Sequence, residues 1–264
     1  MGNDSQYTEL YFRNSHIGED YDARIHNKFE VSIFGLEKYF LGKIFSGIQG
    51  KNKSYLDFAC GTGRILAFVN ECFTFSEYVG CDSSPAMIEV AKNKAVKGNV
   101  RFVVGDLSDN PNLLPQEHFD VVTAFRLIVN LESEFRTPLL KRLGYSIKPG
   151  GTLIINNHMN RYSFLGIAAL FMHRVLGFPL KSDLRAFEEG RRRIINTMSE
   201  REARYVLKNA GFEIVGIVRF TFVPGHKNVI LLPQRMLARL ELLLSKIPLL
   251  NFFCKDQIYV CVKK

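Results

Sequence analysis

The sequence lacks a hydrophobic run long enough to cross a lipid bilayer. Its longest apolar segment, residues 164–172, is far shorter than the ~20 residues that a membrane-spanning helix needs. The N-terminus is polar, so we expect no signal peptide. Internal repeats and low-complexity linkers are also missing. With 264 residues, 47% of them hydrophobic, the chain can bury a full core, and we expect one domain over residues 1–264.

Cysteine and metal-ligating patterns are sparse. The five cysteines are odd in number and include no C-x-x-C pair or zinc spacing. No acidic or histidine cluster has convincing metal spacing, so we predict no bound metal. Reduced thiols suit an intracellular protein, and we expect a cytoplasmic location. Cys60 is better explained as a small space-filling side chain than as a nucleophile.

The chain is basic, with a formal net charge of +9. This charge favours an anionic partner, such as nucleic acid, a phospholipid surface or a phosphorylated substrate. The basic residues are dispersed along the sequence, however, as on an ordinary soluble surface. Composition alone therefore leaves the partner open.

The stretch from Ser54 to Arg64 has the pattern of a buried strand, a tight turn and the start of a helix. In the turn, Ala59, Gly61 and Gly63 allow a sharp bend and the close approach of a ligand. A strand, a glycine turn and a helix N-terminus together present backbone amides to a nucleotide. We therefore predict a nucleotide-type ligand at this turn.

The spacing of the turn selects the ligand class. A dinucleotide fingerprint that begins at Gly61 would need a third glycine where Leu66 stands. What remains, Asp57-x-Ala59-x-Gly61-x-Gly63, resembles the first motif of the class I S-adenosylmethionine (SAM) methyltransferases, although Ala59 replaces its usual first glycine. The resemblance implies an α/β fold with a doubly wound, mostly parallel, seven-stranded sheet, and SAM as cofactor.

Two further strands that end in aspartate support the resemblance. Asp82 ends the second strand, close to the separation from the turn expected for a carboxylate that binds both ribose hydroxyls. Its alternative role is to cap the helix that Ser84 and Pro85 begin. Asp106 ends the predicted strand 99–107, and the resemblance implies that it holds the adenine amino group.

The remaining pattern completes the sheet. Strand four, 118–126, ends in Phe125 and Arg126, on the side where open α/β sheets bind ligands. Lys148-Pro-Gly-Gly151 is predicted to be the turn before strand five. The other predicted elements are a helix at 133–147, strand five at 152–156, a helix at 200–209 behind the capping box Ser199–Glu202, and strands at 213–220 and 257–262.

Three helical additions are predicted around the SAM-binding half, residues 51–156. They are an N-terminal helical cap, 1–50, and two insertions, 157–198 and 222–255, which we expect to set substrate choice. Residues 233–247 carry an apolar helical stripe with arginine and lysine elsewhere. Such a helix can lie on an anionic membrane, shelter a lipidic substrate or pack on the domain.

The resemblance also implies which residues form the site. His158, after strand five, is the candidate general base, because an unperturbed histidine has a pKa of ~6.5; the alternative is that it only binds a loop or the substrate. Tyr21, in a Tyr-Asp pair ahead of the first motif, is a second catalytic candidate, with ordinary packing as its alternative. The cofactor-binding candidates are Asp57, Ala59, Gly61, Gly63, Arg64, Asp82, Ser83, Met87, Asp106, Leu107, Phe125 and Arg126.

We therefore expect a methyltransferase that moves a methyl group from SAM to an oxygen or nitrogen of a small or lipid-like acceptor, with S-adenosylhomocysteine as product. The alternatives are an RNA or protein methyltransferase, suggested by the charge, and a non-catalytic SAM-binding protein. No Asn-Pro-Pro-Tyr-type tetrad follows strand four, which argues against amino-group DNA and protein-glutamine methyltransferases. We expect no nucleic acid partner, while peripheral membrane contact stays open and the oligomeric state is undefined.

Overall fold

The computed structural model describes residues 28–94, 100–158, 160–164, 166–167, 171, 175, 197–222 and 234–264. They contain a seven-stranded sheet with apolar layers on both faces. The elements in chain order are α1 (Lys28–Ile48), β1 (Gly50–Phe58), α2 (Arg64–Cys72), β2 (Phe75–Asp82), α3 (Pro85–Asn93), β3 (Val100–Val104), β4 (Phe119–Ala124), a 3-10 turn (Ile128–Asn130), α4 (Ser133–Ser146), β5 (Ile147–Asn157), α5 (Glu200–Asn209), β6 (Phe212–Phe220), α6 (Gln234–Leu244), a second 3-10 turn (Leu250–Phe253) and β7 (Asp256–Lys263).

The strand order is β3-β2-β1-β4-β5-β7-β6. Strands β1 to β5 pair in parallel, whereas β7 runs antiparallel to both of its neighbours, β5 and β6. The chain moves outward from β1 to β3 and then returns to β4 on the other side of β1. Ligands of open α/β sheets bind at the carboxyl ends of the strands where the order reverses in this way. The predicted seven-stranded, mostly parallel fold is confirmed.

Helices close both faces of the sheet because their apolar residues recur at helical spacing. In α1 the buried apolar residues are Leu36, Phe40, Leu41 and Phe45, which join the core on one face together with α2. The helices α4 and α5 cover the other face. Within the described ranges, no helix has the length and apolar composition of a membrane-spanning segment.

One predicted turn is wrong. Residues 148–151 do not precede strand five but lie inside β5, which begins at Ile147. The pairing with β4 explains the difference, because Phe119 faces Ile147 while Val121 already faces Thr152. The extra residues of β5 form a bulge, and Gly150 within it has a φ of 74°.

Two predicted strands end earlier than expected. The strands predicted at 99–107 and 118–126 stop at Val104 and Ala124, so Asp106 and Arg126 lie in the loops that follow. Arg126 has a φ of 61°, which cannot continue an extended strand. Residues 1–27, and with them Tyr21, lie outside the described residues, as does most of 157–198 and part of 222–255.

Replacing Ser199 with alanine should lower the free energy of unfolding by about 1 kcal/mol. The Ser199 hydroxyl accepts the backbone N–H of Glu202 at 3.2 Å, and the Glu202 carboxylate accepts the Ser199 N–H at 2.7 Å. Without the hydroxyl, an N–H in the first turn of α5 loses its partner. Urea unfolding would measure the change. Glu202→Gln keeps an acceptor for the Ser199 N–H and should lose less; identical midpoints for Ser199→Ala and the unmodified chain would refute the capping role.

Candidate functional site

The glycine turn lies between β1 and α2 with three residues in the left-handed region. Ala59, Gly61 and Gly63 have φ angles of 54°, 55° and 73°. A Cβ added at Gly63 would lie 2.9 Å from the Cβ of Ala91 in α3, so only glycine permits this packing. A Cβ added at Gly61 would meet no atom within 4 Å. The turn is therefore closed on the α3 side at Gly63 and open at Gly61.

Asp57 holds the turn from behind. It is buried, and its Oδ2 accepts the backbone N–H of Leu66 at 3.0 Å. Its Oδ1 accepts the Thr123 hydroxyl of β4 at 2.7 Å. Burial raises the pKa of Asp57 to about 7, although both hydrogen bonds act in the opposite direction. Asp57 thus ties the start of α2 to the end of β4.

Asp82 connects the end of β2 to the same turn. Its Oδ2 accepts the Gly61 N–H at 2.7 Å, and its Oδ1 accepts the Ser84 N–H at 2.9 Å. Desolvation raises the pKa of Asp82, and these N–H groups partly offset that effect. The N-cap of α3 is Ser84, whose hydroxyl accepts the Met87 N–H at 3.3 Å. Capping of α3 is therefore the role of Ser84, and Ser83 lies half-buried between the two residues.

The end of β3 lies beside the end of β2. The Gly105 N–H donates to the carbonyl oxygen of Asp82 at 3.0 Å, which brings Asp106 next to this strand end. Asp106 is partly buried, and its Oδ1 accepts the Ser108 N–H at 2.7 Å. Leu107 is buried in the core. Two carboxylates thus follow adjacent strands on the ligand-binding edge.

A buried series of ionisable side chains, the Glu37–Asp256 chain, crosses the same edge. Glu37 of α1 is fully buried, 3.3 Å from Nη2 of Arg64 and 3.6 Å from Nη2 of Arg126. Nη1 of Arg126 lies 2.8 Å from Nε2 of His158, and Nδ1 of His158 contacts Oδ1 of Asp256. Sequence reasoning missed Glu37 and Asp256, because neither belongs to a local motif.

The hydrogen bonds of the Glu37–Asp256 chain determine which nitrogen of His158 carries the proton. A guanidinium only donates, so Nε2 accepts from Arg126 and the proton on Nδ1 points to Asp256. Desolvation first, and then the charge of Arg126, lower the pKa of His158 to about 4. Burial alone would raise the pKa of Asp256, yet His158 and Lys255 lower it to about 2. At neutral pH the pair is a neutral imidazole and an ionised carboxylate.

The backbone at Arg126 is held from two sides. Its N–H donates to Oδ1 of Asn156 at 2.7 Å, and its carbonyl oxygen accepts Nδ2 of Asn130 at 2.8 Å. These bonds stabilise a left-handed conformation that costs an arginine about 1–2 kcal/mol. Nδ2 of Asn156 is itself buried, and no hydrogen bond to it is found among the described residues. Phe125, beside Arg126, is buried in the core.

The structure thus brings together the predicted residues of the turn, of the ends of β2 and β3, and of the ends of β4 and β5. Met87 is buried under the start of α3. The described residues contain no group of three histidine, cysteine or acidic side chains that could hold a metal ion. That the residues of the glycine turn and of the strand ends bind a cofactor stays a prediction.

Replacing His158 with glutamine should make stability less sensitive to acid. Because the folded state resists protonation until about pH 4 while the unfolded chain takes up the proton near pH 6.5, His158 destabilises the fold as pH falls through this window. Between pH 7 and pH 4.5 the difference amounts to about 2.4 kcal/mol. Urea unfolding of both proteins at pH 7 and pH 4.5 would measure it.

The comparison of the two proteins is necessary because Asp57 acts in the opposite direction. Its folded-state pKa of about 7 lies above the unfolded value, so its contribution grows as pH falls toward the unfolded pKa. This contribution is common to both proteins and cancels in their difference. Parallel loss of stability in the two proteins would contradict the buried neutral imidazole.

Residues 56–151 match the family model of a methyltransferase domain. The chain is 29% identical to a carboxy-S-adenosyl-L-methionine synthase of Helicobacter hepaticus, over 40% of this chain and 44% of that protein. It is 34% identical to a demethylmenaquinone methyltransferase of Thermus thermophilus, over 39% and 46%. It is 27% identical to a ubiquinone/menaquinone biosynthesis C-methyltransferase of Campylobacter jejuni, over 68% and 79%. The chain spans less than half the length of the first two relatives.

Among solved structures, the chain resembles magnesium protoporphyrin IX methyltransferase of Synechocystis PCC 6803 with bound S-adenosylhomocysteine. The TM-score is 0.64 at 16% identity, over 99% of this chain and 100% of that one. A likeness at this identity establishes the fold. The predicted resemblance is confirmed: residues 56–151 match the methyltransferase-domain family, and the chain has the fold of the class I SAM-dependent methyltransferases.

Proposed function

We propose that the chain transfers the methyl group of SAM to an oxygen or nitrogen atom of a small or lipid-like acceptor. The observation that carries the proposal is the convergence of the glycine turn, Asp82 and Asp106 at the carboxyl ends of β1, β2 and β3. When bound, SAM would supply an electrophilic sulfonium methyl group, which passes to a lone pair of the acceptor in line as its bond to sulfur breaks and S-adenosylhomocysteine leaves. The protein binds and orients the reactants and excludes water.

The turn and the strand ends fit an adenosyl group. The open side of Gly61 leaves room that a side chain would fill. Asp82 and Asp106 offer acceptors, which suit ribose hydroxyls and an exocyclic amine. The Gly61 and Ser84 N–H groups donate to different oxygens of Asp82, and an ionised carboxylate offers about four acceptor positions in all. Asp57, with both oxygens engaged behind the turn, contributes by holding the shape of the turn.

Arg64 is our candidate for the carboxylate of the methionine part. Its Nη1 is buried, with no hydrogen-bond partner among the described residues, while its Nη2 lies near Glu37. A buried N–H without a partner costs about 1–3 kcal/mol, which a bound carboxylate would offset. The remaining residues assigned to the cofactor are Ala59, Gly63, Ser83, Met87, Leu107, Phe125 and Arg126.

His158 is the proposed base for an acceptor hydroxyl or ammonium group. Asp256 orients the imidazole, so the nitrogen that accepts a proton is Nε2. Nε2 now accepts a hydrogen bond from Arg126. Desolvation first, and then the charge of Arg126, lower the pKa of His158 to about 4, below the ~6.5 on which the sequence prediction relied. The acceptor must replace that donor for His158 to take its proton. If Arg126 is not displaced, His158 serves instead to position the guanidinium.

A lipid-like acceptor is favoured by apolar side chains beside the end of β5 and the start of β7. Tyr162 and Phe164, just beyond β5, are exposed and stack on Phe252 and Phe253. The names of two relatives point to quinones, and the Campylobacter jejuni relative is called a C-methyltransferase. Transfer to carbon in a quinone-type acceptor is therefore the second candidate.

Gly61→Ala should weaken SAM binding at least tenfold without unfolding the protein. The added methyl group would enter the space proposed for the cofactor, and Ala59 shows that alanine adopts the same φ in this turn. Isothermal titration with SAM and S-adenosylhomocysteine would measure binding. Gly150→Ala is the matched control, because Gly150 also has a positive φ and an open Cβ position but lies in the bulge of β5. If Gly61→Ala and Gly150→Ala bound SAM with equal affinity, the glycine turn would not be part of the cofactor site.

Turnover should require His158 if the acceptor is a hydroxyl. Tritiated SAM and a short-chain quinone in its reduced, hydroxyl-bearing form would supply the assay, and mass spectrometry with NMR would distinguish O- from C-methylation. His158→Gln should lower kcat by about 10²–10⁴ and flatten its pH profile. If His158→Gln had the same kcat as the unmodified protein at every pH, His158 would have only a positioning role. Binding of SAM without any methylated product over a broad acceptor panel would refute the proposed transfer.

A further inference from the structure

An exposed apolar surface lies next to the candidate site. We define the β5–β7 patch as Tyr162, Phe164, Ile247, Leu249 and Phe252. All five side chains are exposed, and Leu249 and Phe252 reach 85% and 57%. An isolated exposed leucine needs no explanation, but these residues come from two segments that meet where Tyr162 stacks on Phe252, and grouped exposed apolar side chains indicate a binding site.

The patch is held in place by stacking and by a buried asparagine. Tyr162 stacks on Phe252 with ring centres 5.1 Å apart, and Phe164 stacks on Phe253 at 4.9 Å. Nδ2 of Asn160 donates to the carbonyl oxygens of Phe252 and Cys254 at 3.0 and 2.8 Å. These contacts fix two segments far apart in sequence, so the exposed rings belong to an ordered surface.

The outer face of α6, the helix that precedes residues 247–252 of the patch, is also apolar and basic. Met236, Arg239 and Leu243, spaced three and four residues apart, are exposed, while Leu237 is buried on the other face. Glu241 is also buried, where its carboxylate accepts the Phe222 N–H at 2.8 Å. The apolar stripe predicted for this helix is thus divided, and part of it faces outward with an arginine.

The segment that carries Ile247, Leu249 and Phe252 is basic. Residues 234–255 contain Arg235, Arg239, Lys246 and Lys255, and their one acidic residue is the buried Glu241. Apolar side chains flanked by basic residues match the boundary between acyl chains and anionic headgroups. We propose that the β5–β7 patch and the outer face of α6 dock the protein on an anionic lipid bilayer.

A second copy of the chain fits this surface less well. A two-fold interface places the same patch of both subunits face to face, so the basic groups of one patch, Arg239 and Lys246 among them, would face the basic groups of the other. Like charges across an interface oppose association. The net charge of +9 on each copy adds to that repulsion, whereas an anionic bilayer attracts a protein of this charge.

Docking would also orient the candidate site. In the sequence, Tyr162 of the patch follows His158 by four residues, and Phe252 precedes Asp256 by four residues. The carboxyl edge of the sheet would therefore face the bilayer. That an acceptor enters the site from the bilayer depends on the proposed function, whereas docking itself does not.

Vesicle flotation without cofactor or acceptor tests the docking. The protein should float with phosphatidylcholine vesicles that contain a third phosphatidylglycerol, and much less with pure phosphatidylcholine or at high salt. The double variant Leu249→Ser/Phe252→Ser should lower partitioning at least tenfold, because two exposed apolar groups no longer enter the membrane. Lys246→Ala should lower it about fivefold.

Matched controls remove exposed groups elsewhere. Val215→Ser/Tyr205→Ser deletes side chains that are 60% and 69% exposed on β6 and α5, and Lys92→Ala deletes an exposed lysine of α3. These variants should float like the unmodified protein, and circular dichroism would check all folds. Equal losses in the controls, or no flotation with anionic vesicles at low salt, would overturn the proposal.

Two further measurements separate the alternatives. A dimer that Leu249→Ser/Phe252→Ser converts to a monomer, seen by light scattering without vesicles, would assign the patch to a second copy and overturn membrane docking. Titration of SAM into the same variants tests the cofactor site independently. Normal SAM binding without flotation would refute docking alone, whereas flotation without SAM binding would refute the proposed function alone.

Discussion

The buried Glu37–Asp256 chain is the interaction on which the arrangement of the site depends. Glu37 of α1 brings a negative charge into the interior. Two arginines lie beside it: Arg64, at the start of α2, and Arg126, in the loop after β4. His158 and Asp256 extend the contacts to the ends of β5 and β7. Removing one member of such a network leaves a buried charge uncompensated, at roughly 3–5 kcal/mol. Each of these elements is therefore held in register with the others.

Two carboxylates give the glycine turn its shape. Asp57 and Asp82 accept backbone N–H groups of Leu66, Gly61 and Ser84, and neither carboxylate has a lysine or arginine within ion-pair distance among the described residues. Desolvation consequently raises the pKa of each. The turn is thus stabilised by hydrogen bonds from backbone groups, which leaves Gly61 uncovered on its outer side.

Local chemistry made much of this predictable. The capping box at Ser199 and Glu202 and the glycine turn each involve neighbours in sequence, so spacing revealed them. Asp82 and Asp106 were predictable because each follows an apolar strand pattern. The Glu37–Asp256 chain was not predictable, because it joins residues from opposite ends of the sequence. The bulge at 148–151 was missed for a related reason, since only pairing with β4 distinguishes it from a turn.

The reversed strand explains why the site and the patch are neighbours. In an all-parallel sheet the start of β7 would lie at the edge opposite to the end of β5. Because β7 is antiparallel, Gln257 pairs with Asn157, and the residues before β7 lie next to those after β5. The same pairing brings Asp256 to His158 and Phe252 to Tyr162. A buried acid that orients an imidazole and an exposed aromatic surface are therefore two consequences of one change in strand direction.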